Sequence, residues 1–192
     1  MMLLSRLREE TRFAHQQLEG RIDLLERDWS LPFYRVFLQK FYGFYAAIEE
    51  PIFAHSQWEA TGLEVGKRLK TRFLKSDLEF LGLSNDAIAN LPLCANAPLA
   101  STFPEALGCA YVLEGSTLGG QVITRHLQRE LGVGPGSGGT FFASYGVAVG
   151  PMWREFIEVL DTYSLDEIQQ NAAIHSANAT FRAFDAWLQD VL

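Results

Sequence analysis

Cysteine is scarce in this chain, with two residues, Cys94 and Cys109, in 192. Their spacing matches no zinc site, redox pair or disulfide framework, so two thiols in a reducing compartment are expected. Long apolar runs are missing too. Residues 1–4 are apolar and charge begins at Arg6, which is too short for a signal-peptide core. No run approaches the about 20 residues that a membrane-crossing helix requires. A cytoplasmic protein with no membrane association is therefore expected. Positive charge is outnumbered, 16 Lys and Arg against 23 Asp and Glu, for a net charge of −7, which argues against nucleic acid as a partner. Strand-like alternation, internal repeats and low-complexity tracts are lacking. So are the glycine fingerprints of flavin and nicotinamide sites.

Aromatic residues are plentiful, with 14 Phe, 6 Tyr and 4 Trp, enough for a core, for a flat apolar ligand, or for both. The apolar pattern repeats every three to four residues almost throughout. A first helix is predicted over 5–19, with Leu4, Leu7, Thr11, Ala14, Leu18 and Ile22 on one stripe. Ser30 and Pro32 open a second, whose core face runs Phe33, Phe37, Phe41, Phe44, Ile48, Ile52 and which Pro51 should kink or end. Further helices are predicted over 67–81 and, briefly, 86–91. Thr102 and Glu105 form a capping box that starts a long helix reaching Leu131. A glycine-dense loop follows at 132–139, then an aromatic connector at 141–145 and a helix from Gly150-Pro151 to about Tyr163. A second capping box, Ser164 to Glu167, starts the last helix, which ends near Leu188. The expectation is a single all-α domain over 1–192, with about seven helices.

His15 falls on the apolar stripe of the first helix, where a buried imidazole needs a hydrogen-bond partner or a metal. A backbone carbonyl would satisfy it as an ordinary core residue. Its neighbours suggest more. Arg8 lies two turns upstream on nearly the same face, about 10 Å along the axis. That spacing suits a ligand with a metal at its centre and carboxylates at its edge, such as haem, with Arg8 and Arg12 placed to pair with the carboxylates. Glu19, one turn on, could hold the second imidazole nitrogen.

The second constellation is Gly115, Gly119 and Gly120 within an otherwise strong helical pattern. Each interior glycine costs about 1 kcal/mol relative to alanine. Gly115 and Gly119 share a face, and the missing side chains would let a flat molecule approach the backbone while the helix bends. Ser116 sits where it could organise water. Close packing of helices through small residues accounts for the glycines equally well.

Two segments resemble the haem oxygenase family, in particular its bacterial, soluble branch. One is Leu7-Arg8-x-x-Thr11-x-x-x-His15-x-x-x-Glu19, similar to the family's proximal helix. The other is the run from Tyr111 through Glu114-Gly115-Ser116-Thr117-Leu118 to Gly119-Gly120, similar to its distal helix. The resemblance implies a multihelical haem oxygenase-like fold with a kinked distal helix. It implies that haem (iron protoporphyrin IX) is both cofactor and substrate. The activity implied is oxidative cleavage of haem to biliverdin, releasing carbon monoxide and ferrous iron. Dioxygen is consumed, and electrons come from an external donor such as a ferredoxin or a flavoprotein reductase. His15 is then the iron ligand and Gly115, Ser116 and Gly119 form the distal catalytic segment. Arg8, Arg12, Tyr111 and Phe181 join Gly115 and Gly119 in holding the cofactor, with Arg182 a further propionate contact. Mammalian-type members carry an aspartate after the first distal glycine; here that position is Ser116.

Two rivals stand beside this reading: a haem carrier or sensor that never opens the ring, and a helical interaction protein without haem. A di-iron bundle requires Glu-x-x-His pairs, and none occurs at His15, His55, His126 or His175. A triad hydrolase is excluded because Ser116 does not sit in a nucleophile elbow and no strand carries it.

Overall fold

The computed structural model describes residues 2–163 and 165–191. Every regular element among them is helical: α1 (Leu3–Glu10), α2 (Arg12–Ile22), α3 (Leu31–Phe53), α4 (Gln57–Thr61), α5 (Val65–Arg68), α6 (Thr71–Phe80), α7 (Asn85–Ala89), α8 (Phe103–Gly115), α9 (Gly120–Leu131), α10 (Thr140–Ala143), α11 (Val149–Thr162) and α12 (Glu167–Leu188). A 3-10 turn, Ser116–Gly119, joins α8 to α9, and another, Gly146–Ala148, precedes α11. The seven expected units recur. The surplus consists of short α4 and α10 and of breaks within units expected to be continuous.

The breaks and ends have identifiable causes. Between α1 and α2 the Thr11 hydroxyl donates to the Leu7 carbonyl at 2.6 Å, a side-chain bond that competes with the helix ladder. Between α5 and α6, Leu69 turns extended, and the freed Lys70 and Thr71 amides donate to the Glu49 carboxylate, which thus caps α6 from α3. Pro51 lies in the last turn of α3, which ends two residues later. Thr102 and Glu105 form the expected capping box. For α12 the box is Asp166 with Gln169; Ser164, expected to start it, lies outside the described residues. In the glycine-dense loop Gly132, Gly136 and Gly138 take φ of 70°, 75° and 87°, left-handed values that glycine adopts without strain.

The core forms around α3, α8 and α12. Phe37, Phe41, Phe44, Ile48 and Ile52 of α3 are buried as their periodicity requires, and Phe184 of α12 stacks on Phe44 with ring centroids 4.4 Å apart. Helices α8 and α12 pack backbone to backbone: a Cβ on Gly108 would stand 1.9 Å from the Ala173 carbonyl oxygen. That approach lays α8 along α12, and α12 in turn packs against α2.

Candidate functional site

His15 projects from α2 towards α12, its ring 5.4 Å from that of Phe181. At about 100° per residue it lies roughly 40° from Thr11 around the helix. Thr11, Leu18 and Ile22, on that same face, are buried. The expectation of a buried imidazole is nevertheless overturned: the His15 side chain is 52% exposed. Its direction is that of the core stripe, but beyond Phe181 little protein covers it. Glu19 stands one turn on, its carboxylate oxygen 3.3 Å from Nε2.

Facing this region from α8, the Tyr111 hydroxyl lies against the Thr11 hydroxyl and within the field of the Arg8 charge. Burial raises the Tyr111 ionisation above the ordinary phenol value, and Thr11 and Arg8 pull it part of the way back. Arg8 and Arg12 are exposed and form no ion pair among the described residues. Arg182 is exposed on α12. The structure thus groups His15 with Phe181 and Glu19, and Arg8 with Thr11 and Tyr111. Among the described residues the side chains of Arg12 and Arg182 form no hydrogen bond or ion pair with either group.

Four residues after Tyr111 comes Gly115, where α8 gives way to the 3-10 turn. The glycines here are of two kinds. Gly120 is a packing glycine: a Cβ there would stand 2.2 Å from the Phe142 carbonyl oxygen. Gly115 and Gly119 are not. A Cβ on Gly115 would meet nothing closer than Trp153 at 3.8 Å, and one on Gly119 nothing closer than Ile123 at 3.7 Å, both ordinary contacts. No clash within the chain demands glycine at either position, yet each carries its propensity cost.

The turn's hydroxyls are committed. Ser116 donates to the Leu113 carbonyl at 2.8 Å and Thr117 to the Glu114 carbonyl at 2.7 Å, capping carbonyls that the break frees. Tyr45 of α3, which the sequence reading missed, brings its hydroxyl to 3.2 Å from Ser116 Oγ. Burial holds the Tyr45 phenol well above its ordinary value, only partly offset by the Ser116 bond. Also missed was the surrounding of Glu114, a carboxylate 1% exposed on an apolar helix. Its Oε1 accepts from Lys70 Nζ at 2.6 Å and from the Tyr145 hydroxyl at 2.8 Å, and its Oε2 pairs with Arg68. A carboxylate within the run from Tyr111 to Leu118 was the only hint in the sequence.

Two concavities lie elsewhere. One of about 390 Å³ sits between α3 and α5, lined by Phe53, Ala54, Val65 and Leu69 among others; one of about 290 Å³ lies beside Gly62 and Glu155. The first is almost wholly apolar, and neither is lined by an imidazole.

The family model for heme oxygenase matches residues 1–190. The chain belongs to the haem oxygenase family. This haem oxygenase superposes on the NO- and CO-bound heme oxygenase of Neisseria meningitidis with a TM-score of 0.84 at 22% identity, covering 100% of this chain and 92% of that one. The enzyme of Leptospira interrogans gives 0.81 at 18%, with coverages of 99% and 100%. Heme oxygenase-1 of the cyanobacterium Synechocystis, in complex with heme, gives 0.80 at 20%, with 99% and 92%. At these identities the likeness establishes the fold. A comparison with curated proteins finds no match to the sequence. Membership makes the chain a haem-degrading enzyme with haem as cofactor and substrate, and a non-catalytic carrier is not favoured. No helix among the described residues is long and apolar enough to cross a membrane.

Proposed function

We propose that haem binds between His15 on α2 and the Gly115–Gly119 segment, on one domain spanning residues 1–192, and that His15 is its iron ligand. The observation that carries the reading is the pair of glycines at the end of α8 that no packing contact requires, one turn beyond Tyr111, whose neighbour Thr11 stands one turn before the uncovered His15 imidazole. Haem, when bound, supplies the iron that activates dioxygen and the macrocycle that is opened to biliverdin, carbon monoxide and ferrous iron. The chain's own residues bind and orient. Glu19 holds the imidazole's second nitrogen and fixes its tautomer. Arg8 and Tyr111, already grouped around Thr11, take the propionates, the guanidinium by paired hydrogen bonds; Arg12 and Arg182 serve as outer cationic contacts. Phe181 packs beside the imidazole and lines the pocket. Gly115 and Gly119 present bare backbone to the ring's other face.

Ser116 stands where mammalian-type relatives carry a carboxylate. Its hydroxyl donates to Leu113 and so has its lone pairs free. Tyr45, kept protonated by burial, donates to one of them. The pair supplies an ordered neutral hydroxyl at the distal edge, able to hold a water that delivers protons. Electrons come from an external donor, a ferredoxin or a flavoprotein reductase, in the cytoplasm. The test is reconstitution with haemin followed by reduction in air: decay of the Soret band with growth of a biliverdin spectrum supports the reading, and a Soret band that persists through reduction and aeration contradicts it.

A further inference from the structure

We propose that the Glu114 carboxylate is a positioning residue for the distal turn, holding the break between α8 and α9 in place through a buried clamp of Arg68, Lys70 and Tyr145. The turn that follows Glu114 is a weak piece of backbone. It is a 3-10 segment flanked by glycines, and the bonds that Ser116 and Thr117 donate are local, to carbonyls three residues back. Such bonds fix the shape of a turn but not its place in the molecule, and the Tyr45 hydroxyl reaches it from α3 through a single neutral bond at 3.2 Å. Glu114 supplies the charged, multiply bonded long-range tie. Its two oxygens accept from three donors on separate parts of the chain: Arg68 on α5, Lys70 at the α5–α6 break, and Tyr145 after α10. Arg68 continues the tie, donating to the Met152 carbonyl at 3.2 Å and to Glu155 at 3.1 Å. Both lie on α11, beside Trp153, the residue that Gly115 faces.

Burial makes this arrangement stringent. Arg68, Lys70 and Glu114 are each 1% exposed, so the two cations and the carboxylate have no water to fall back on. Lys70 is further enclosed: its ammonium also donates to the Arg68 carbonyl at 3.1 Å and lies 5.1 Å from the centroid of the Tyr145 ring. A displaced turn would break several charge-assisted bonds at once, so the clamp has one low-energy position. The residue after Glu114 is the first distal glycine, so the clamp sets where bare backbone meets the pocket.

The test uses Glu114→Gln and the milder Tyr145→Phe, which removes one hydroxyl bond and carries the test if the first variant does not fold. Thr102→Ala, which removes the cap at the far end of the same helix, is the control for lost stability alone. In the haem-free protein, amide hydrogen exchange at residues 117–120 is expected to quicken by about tenfold or more in the clamp variants relative to core amides of α12, and not in the control. With haemin bound, the cleavage rate is expected to fall by about tenfold or more while haemin affinity changes little, because misplacement of a positioning group acts on the reaction and not on binding. Exchange that quickens evenly across the chain, or that quickens equally in the Thr102 control, overturns the proposal, as does unchanged exchange. The cleavage arm rests on the haem reading above and the exchange arm does not. Failure of the unsubstituted protein to bind haemin therefore counts against that reading, while the exchange arm still decides the clamp.

Discussion

Thr11 and Tyr111 meet where α1, α2 and α8 converge, and each stands four residues ahead of a proposed site residue, His15 and Gly115 respectively. Four residues are one helical turn, about 6 Å of rise. The contact therefore acts as a common origin from which the proximal and distal positions are both set. Tyr111→Phe removes the hydroxyl and keeps the ring. Haemin affinity is expected to fall about three- to tenfold through the lost propionate contact and the loosened origin, a cost of about 1 kcal/mol for one hydrogen bond. The thermal midpoint is expected to drop only slightly, since Tyr111 is half-buried. Spectrophotometric haemin titration and a melting curve separate the two effects.

The exposure of His15 separates fold from function. Its side chain is 52% exposed, and surface substitutions cost within about 0.5 kcal/mol. His15→Ala should melt with the parent protein yet fail to give the spectrum of a histidine-ligated haem, and should lose cleavage activity. Added imidazole is expected to restore the spectrum. The loss of stability by several kcal/mol would instead make His15 an ordinary core residue.

Four glycines of the α8–α9 region give contrasting outcomes when changed to alanine. At Gly108 and Gly120 the new methyl would stand 1.9 and 2.2 Å from a carbonyl oxygen, so backbone must shift, at a cost of about 1–3 kcal/mol. At Gly115 and Gly119 the nearest side-chain atoms are 3.8 and 3.7 Å away, so stability should hold or rise by up to about 1 kcal/mol from helix propensity. Haemin binding and cleavage are expected to suffer at those two positions. Chemical denaturation of the four variants, beside haemin titrations, checks the crossover.

Alkaline titration reports the buried phenols. Tyr34, Tyr45 and Tyr145 are held well above the ordinary value by burial first of all, with the negative charge of Glu114 adding to the rise at Tyr145; Tyr111 is raised by the same cause. Because the folded values exceed the unfolded value of about 10, the stability these groups confer is fully present below that pH and is lost as pH rises above it. Phenolate absorbance from these four should therefore lag behind that of a free phenol, its last part coinciding with unfolding. Tyr145→Phe should reduce that last part. Ionisation of Tyr34, Tyr45 and Tyr145 near pH 10, with the fold intact, would contradict the buried network.

Most of the helical order was legible because it rests on short-range rules. The phenylalanine stripe of α3, the Thr102–Glu105 cap and the glycine-dense loop each announce themselves within a few residues. The distal break was legible for the same reason, since Gly115, Gly119 and Gly120 sit inside an apolar pattern. Periodicity gave His15 its direction but not its cover, because nothing local says whether another element reaches that spot. The break at Lys70 escaped notice because its cause, Glu49, lies 21 residues away. The Tyr45–Ser116 pair and the Lys70–Glu114 pair span 71 and 44 residues, and such partners are set by packing alone. The three distal glycines looked alike in sequence; only the Phe142 carbonyl behind Gly120 tells packing from access.

The most direct test of the site is a crystal structure of the haemin-loaded protein. The expected result is iron bonded to the His15 imidazole, with the backbone of Gly115 and Gly119 against the opposite face of the porphyrin. Iron held by His55, His126 or His175, or a porphyrin seated in the apolar concavity beside Phe53 and Val65, would contradict it.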